Sequence, residues 1–108
     1  MSDTDRPGGA EAFSGKRMLV VEDEFLIALD IQRILEGVGV KTVLTASRVK
    51  QALELMLSAG PFDAAVLDLK LERETSTPIA ERLQQAGVPF VFLTGGPSQA
   101  DTRRFPAF

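Results

Sequence analysis

The sequence predicts an α/β domain built on a parallel sheet, and three observations support this fold class. Apolar runs and helical patterns alternate in the order β-α-β-α-β-α-β, which is typical of a parallel sheet with helices on both faces. The runs at residues 18–21, 63–67 and 88–93 are apolar enough for strands that are buried on both faces. The first two lead into acidic residues and the third into a hydroxyl and two glycines.

Length and composition limit the classes of function. The chain has 108 residues, 44% of them hydrophobic and 25% charged, which is the balance of one ordinary globular domain. A net charge of −3 disfavours a nucleic-acid partner. No apolar run approaches the roughly 20 residues of a membrane span, and the absence of cysteine is compatible with a reducing cytoplasm. We expect residues 1–16 to be a disordered tail and residues 17–108 to form the domain.

The first half of the domain is expected to contain two strands and two helices. Strand 1 is residues 18–21, and a helix over 24–38 has its apolar positions at helical spacing. Those inward positions are Ile27, Ile31, Ile34, Leu35 and Val38, widened by Phe25, Ala28 and Leu29. Strand 2 is residues 41–46, and Ser47 is a candidate cap for the second helix. The inward positions of that helix are Val49, Ala52, Leu53 and Met56, and Gly60-Pro61 ends it.

The second half continues the alternation. Strand 3 is residues 63–67, and the polar stretch 72–77 is expected to be a loop. Pro78 suits the first turn of a third helix, with Gly87 as its end. The inward positions of this helix are Ile79, Ala80 and Leu83. Strand 4 is residues 88–93, and residues 98–104 could add one or two helical turns.

The ends of these strands bring acidic residues together. Glu22 and Asp23 follow strand 1, Asp68 follows strand 3, and Thr94 follows strand 4. Because ligands gather at the carboxyl ends of parallel strands, we expect these side chains on one rim of the sheet. Three clustered carboxylates repel one another unless a cation compensates. Oxygen ligands alone suit Mg²⁺, which indicates phosphate chemistry.

The same residues resemble the strand ends of response-regulator receiver domains. The matching segments are Leu19-Val20-Val21-Glu22-Asp23-Glu24, Val66-Leu67-Asp68 and Phe92-Leu93-Thr94-Gly95. Residues 89–95 are similar to the receiver variants called FATGUY, in which a Thr-Gly pair follows a Phe-rich strand. The resemblance covers roughly residues 17–108 and implies a flavodoxin-like (CheY-like) sheet with strand order 2-1-3-4.

The resemblance also implies roles for individual residues. Asp68 would be the phosphoacceptor that takes a phosphoryl group from a histidine kinase or phosphotransfer protein. Asp23 and Asp68 would contact Mg²⁺ directly, Glu22 would act through a water, and the backbone carbonyl of Lys70 would be a further ligand. Thr94 would bind a phosphoryl oxygen and move the following loop. Glu24 is expected to start the first helix. Such a protein is a switch that signals by protein–protein contact, not an enzyme.

Two features depart from the family pattern. Receivers usually have a fifth strand and helix, with a Lys before a Pro, and here neither Pro97 nor Pro106 follows a Lys. This suggests a chain truncated before strand 5, which would make strand 4 an edge and favour a homo-oligomer through it. Met18, Val20, Phe90 and Phe92 would then be candidates for exposure. The loop after Asp68 also lacks the Pro and Gly common in receivers.

Three other interpretations are open from the residues. A degenerate receiver could act as an interaction module without phosphorylation, as the absent Lys would suggest. A Mg²⁺-dependent phosphohydrolase would commonly have a second acid two residues after its nucleophile, where this chain has Lys70. A dinucleotide-binding fold is disfavoured because residues 22–24 are acidic where a Gly-rich turn should lie.

Overall fold

A computed structural model describes residues 13–93 of the chain, and its elements follow the expected alternation. The elements are β1 (Arg17–Val21), α1 (Phe25–Gly37), β2 (Thr42–Ala46), α2 (Val49–Ser58), β3 (Ala64–Asp68), β4 (Lys70–Leu71), β5 (Glu74–Thr75), α3 (Thr77–Gln85) and β6 (Phe90–Leu93). Residues 1–12 and 94–108 lie outside this description, and with them most of the expected tail, Thr94 and the expected turns at 98–104.

The main sheet has four strands in the order β2-β1-β3-β6, all parallel. This confirms the α/β class and the predicted strand order, since β6 is the fourth strand of the sequence prediction. The register places Val21 beside both Ala46 and Leu67, and Asp68 beside Leu93. The carboxyl ends of β1, β3 and β6 therefore lie next to one another.

The two faces of the sheet bury separate apolar clusters. Leu19 and Val21 of β1 pack on the face covered by α2 and α3, whereas Met18 and Val20 pack on the face covered by α1. The expected exposure of Met18, Val20, Phe90 and Phe92 is wrong, because these residues are 4%, 0%, 4% and 7% exposed. The two phenylalanines pack on the α2–α3 face, with their rings edge-to-face at 5.7 Å.

Helix α3 begins and ends where its sequence indicates. Ser76 is the N-cap residue and Pro78 lies in the first turn. Gly87 follows the helix with a φ of +72°, a backbone conformation that residues with a Cβ rarely adopt. The three predicted inward residues, Ile79, Ala80 and Leu83, are fully buried. The predictions of Pro78 in the first turn, of Gly87 at the end and of the three inward residues are confirmed, and Ser76 as the N-cap residue is added by the structure.

Helix α1 buries less of its apolar surface than expected. Ala28 is buried, and Ile31, Leu35 and Val38 pack against the cluster on the α1 face. Three residues predicted for the inward apolar face, Phe25, Ile27 and Ile34, are instead exposed. The exposed apolar side chains of this helix are Phe25 (76%), Leu26 (71%), Ile27 (41%) and Ile34 (65%). No helix among residues 13–93 is long and apolar enough to span a membrane.

Two local predictions are corrected between β2 and α3. Arg48, not Ser47, is the N-cap residue of α2, and the Ser47 N–H bonds the side chain of Gln51 at 2.9 Å. The stretch 72–77 is not a plain loop, because β4 and β5 pair as an antiparallel hairpin just before α3. The predicted inward stripe of α2 is confirmed, with Ala52 buried and its apolar neighbours packed on the core.

Candidate functional site

The structure brings three predicted carboxylates together at the carboxyl ends of β1 and β3. Glu22, Asp23 and Asp68 each offer an oxygen, and these oxygens lie within 4.8 Å of one another. The Glu22 N–H bonds the Ala46 carbonyl at 2.9 Å, which extends the β1–β2 ladder by one residue. Sheet hydrogen bonding therefore holds the backbone at Glu22 and at Asp68, the last residue of β3.

Glu22 is the buried member of this cluster. It is 5% exposed, and burial raises the pKa of its carboxyl from 4.5 to about 7, with the charge of Asp68 adding to the rise. The Glu24 N–H donates to Glu22 Oε2 at 3.1 Å and opposes that rise in pKa. Glu22 is therefore a carboxyl that is poorly compensated by the residues around it.

Backbone amides also contact the other two carboxylates. The Lys70 N–H donates to Asp68 Oδ1 at 3.4 Å, and the Glu72 N–H donates to Asp23 Oδ2 at 2.7 Å. Both donors belong to the hairpin region that follows β3. The sequence analysis did not predict that the hairpin would contact the carboxylates. A signal was present, because Leu67, Leu69 and Leu71 alternate with polar residues as in a continuing strand, and all three are buried.

The remaining predicted site residues have different outcomes. Glu24 is the N-cap residue of α1, as expected, and makes no side-chain capping bond. Lys70 lies in β4 with an exposed side chain, and the role of its carbonyl as a ligand stays a prediction. Thr94 lies outside the described residues, one position after Leu93, which pairs with Asp68.

The cluster fits a magnesium ion by its chemistry. All three side chains offer hard oxygen donors, which Mg²⁺ prefers. Burial first, and then the charge of Asp68, raises the pKa of Glu22, and a bound divalent cation would oppose both effects by stabilising the ionised carboxylate. Asp23 and Asp68 are half-buried and so remain accessible from solvent.

Comparisons with known proteins identify the class. The family model of the response regulator receiver domain matches residues 18–105. The chain therefore belongs to the receiver-domain family of two-component response regulators, as the strand ends predicted.

Particular relatives agree with this assignment. The transcriptional regulatory protein DltR of Streptococcus agalactiae is 38% identical over 80 residues, which cover 72% of this chain and 35% of DltR. The phyllosphere-induced regulator PhyR of Methylorubrum extorquens is 28% identical over 95 residues, covering 84% of this chain and 36% of PhyR. The chain thus spans about a third of the length of these curated relatives.

Solved structures agree as well. The solution structure of SdrG from Sphingomonas melonis Fr1 superposes with a TM-score of 0.72 at 39% identity, covering 87% of this chain and 82% of SdrG. A BeF3-activated conformation of SdrG, from Pseudomonas melonis Fr1, has a TM-score of 0.69 at 38% identity and covers 88% and 83% of the two chains.

Proposed function

We propose that this receiver accepts a phosphoryl group on Asp68 from the phosphohistidine of a sensor kinase or phosphotransfer protein, with Mg²⁺ held by Glu22, Asp23 and Asp68. The observation that carries the proposal is the convergence of these three carboxylates within 4.8 Å at the end of β3. Resemblance to the family adds the backbone carbonyl of Lys70 as a ligand and Thr94 as the phosphoryl contact.

The proposed reaction is a phosphoryl transfer between two side chains. A carboxylate oxygen of Asp68 forms a bond to phosphorus while the phosphorus–nitrogen bond of the phosphohistidine breaks, and the histidine keeps that electron pair. When bound, Mg²⁺ supplies positive charge that neutralises the oxygens of the phosphoryl group. The Lys70 N–H, 3.4 Å from Asp68 Oδ1, helps to fix the carboxylate that reacts.

The proposed output is a change of protein contacts. The protein would be a switch in the cytoplasm, not an enzyme, with no nucleic acid or membrane as partner. The activated state of such a switch is supported by SdrG, which is 38% identical over most of the chain and is described in a BeF3-activated conformation. The exposed Lys70, two residues after Asp68, disfavours the phosphohydrolase alternative, which would commonly have an acid there.

Intact-mass spectrometry tests the proposal directly. The chain is incubated with acetyl phosphate and Mg²⁺, and we expect a mass gain of one phosphoryl group that requires the metal. Asp68→Asn should abolish the gain. Asp30→Asn, which removes an exposed carboxylate of α1, should leave it unchanged. Absence of any gain in the wild-type chain, with both acetyl phosphate and a phosphorylated histidine donor, would favour the degenerate receiver instead.

A further inference from the structure

The β4–β5 hairpin contacts both the acidic cluster and the first turn of α2. Its paired residues include Leu71 and Glu74, so Glu72 and Arg73 form the turn between the strands. From this turn, the Glu72 N–H donates to Asp23 Oδ2 at 2.7 Å. On the returning strand, Glu74 Oε1 accepts the Val49 N–H at 2.6 Å. The hairpin therefore joins a candidate metal ligand to a helix that is remote from it in sequence.

Glu74 anchors this hairpin to the first turn of α2. The first N–H groups of a helix have no partner within the helix, and α2 makes no capping bond with its own N-cap side chain. The half-buried carboxylate of Glu74 fills that role from another element, at the positive end of the helix. The Arg48–Glu72 ion pair at 3.1 Å joins side chains that are 51% and 68% exposed, so it contributes little.

We propose that Glu74 is a positioning residue for the metal site. By anchoring the hairpin to α2, it holds the Glu72 amide against Asp23 and so fixes the orientation of the Asp23 carboxylate. This inference rests on the proposed function, since it assigns Asp23 as a Mg²⁺ ligand. It adds a role for two residues, Glu72 and Glu74, that need not touch the ion themselves.

The expected size of the effect follows from how metal ligands are supported. Losing a hydrogen bond that orients a ligand typically costs about 10–100-fold in metal affinity. Removing the Glu72 amide donor itself should therefore weaken Mg²⁺ binding about tenfold. Removing the Glu74 anchor leaves the donor present but less well held, and we expect a loss of roughly three- to tenfold.

The Glu72 donor can be tested with a matched pair of variants. Glu72→Pro removes the N–H, whereas Glu72→Ala keeps it, and both lose the same charge and the same ion pair to Arg48. No non-glycine residue among positions 13–93 has a positive φ, so the turn is not of the primed type. Proline is favoured at the first central position of ordinary turns, which makes the substitution compatible with the backbone.

The Glu74 anchor is tested in the same way. Glu74→Ala removes the acceptor for the Val49 N–H, and Glu74→Gln removes the charge but keeps an oxygen that can accept it. Glu54→Ala, which removes an exposed carboxylate elsewhere on α2, is the control for a change of net charge. Magnesium affinity is measured by titration calorimetry, and thermal unfolding followed by circular dichroism shows that each variant is folded.

The inference predicts weaker Mg²⁺ binding in Glu72→Pro and Glu74→Ala, with near wild-type affinity in Glu72→Ala, Glu74→Gln and Glu54→Ala. If Glu72 and Glu74 had a purely structural role, the variants would lose thermal stability but would not divide into these two groups by Mg²⁺ affinity. Equal affinity across all of these variants, while Asp23→Ala abolishes binding, would overturn the inference and leave the proposed function intact. If the wild-type chain binds no Mg²⁺, both are wrong. Should Glu74→Ala fail to fold, Glu74→Asp, whose shorter side chain draws the carboxylate away from the Val49 N–H, takes its place in the comparison and should also weaken Mg²⁺ binding.

Discussion

At the scale of single residues, the site depends on one buried acid beside two more accessible ones. Glu22 loses hydration on folding, which raises the pKa of its carboxyl; the charge of Asp68, and hydrogen bonds from the Glu22 carboxyl to Asp23 and Asp68, add to that rise. Its carboxyl therefore binds a proton more tightly in the folded than in the unfolded chain. Metal binding and proton binding compete for the same group, so Mg²⁺ uptake near neutral pH should release a proton.

This difference makes stability depend on pH in the absence of Mg²⁺. The contribution of Glu22 is fully present below its unfolded pKa of 4.5 and is lost as the pH rises through about 7. We expect the free energy of unfolding to fall by roughly 1–3 kcal/mol across this range for this group alone. Urea unfolding at a series of pH values, with a chelator present, measures the change.

Glu22→Gln is the matched control for this prediction, because the amide does not titrate. The free energy of unfolding of the variant should depend less on pH than that of the wild type. Mg²⁺ should reduce the pH dependence of the wild-type free energy of unfolding in the same way. Parallel curves for the wild type and the variant would show that Glu22 does not titrate in this range.

At the scale of elements, the predictions that succeeded follow from burial on both faces. Strands such as residues 18–21 are continuously apolar because both sides are covered, and adjacent parallel strands necessarily end at one edge. That is why the cluster at Glu22, Asp23 and Asp68 could be predicted. The hairpin was missed because each strand has two residues and the turn Glu72-Arg73 lacks an Asn-Gly or Asp-Gly signal.

Helix α1 shows a different limit of the sequence pattern. Apolar residues occupy so many of its positions that helical periodicity does not single out one face. Ile31 and Ile34 look equivalent in sequence, yet Ile31 packs on the sheet while Ile34 is 65% exposed. The position of the helix over β1 and β2 decides which of them is inward.

The connection from α2 to β3 gives a prediction at this scale. A Cβ at Gly60 would lie 2.5 Å from the Met56 carbonyl oxygen, a backbone atom that cannot move aside easily. Gly60→Ala should therefore lower the free energy of unfolding by roughly 1–3 kcal/mol. Gly37→Ala is the control, because a Cβ there meets nothing within 4 Å, and it should be neutral or slightly stabilising. Denaturant unfolding compares the two, and equal stabilities would contradict the assigned contact.

At the scale of the whole molecule, self-association through strand β6 stays a prediction from the sequence. The structure adds a second apolar surface, since Leu26 of α1 is 71% exposed beside other apolar side chains. We expect association at micromolar concentration that Leu26→Lys reduces, measured by light scattering. Leu57→Lys makes the same change at a 79% exposed position of α2 and should have little effect. Association that survives both variants would instead favour β6.

The order of strands also has a consequence for biosynthesis. Among the strands of this sheet, β1 is translated before the others yet lies inside the sheet, and it stays without neighbours until β2 and then β3 have been translated. Its pairings are all parallel and therefore bridge long stretches of chain, which slows their formation. The hydrogen bond to the Asp23 carboxylate forms later still, because its donor Glu72 is 49 positions further along the chain. A nascent chain can thus assemble the complete acidic cluster, with its hydrogen bond from Glu72, only after the hairpin has been made.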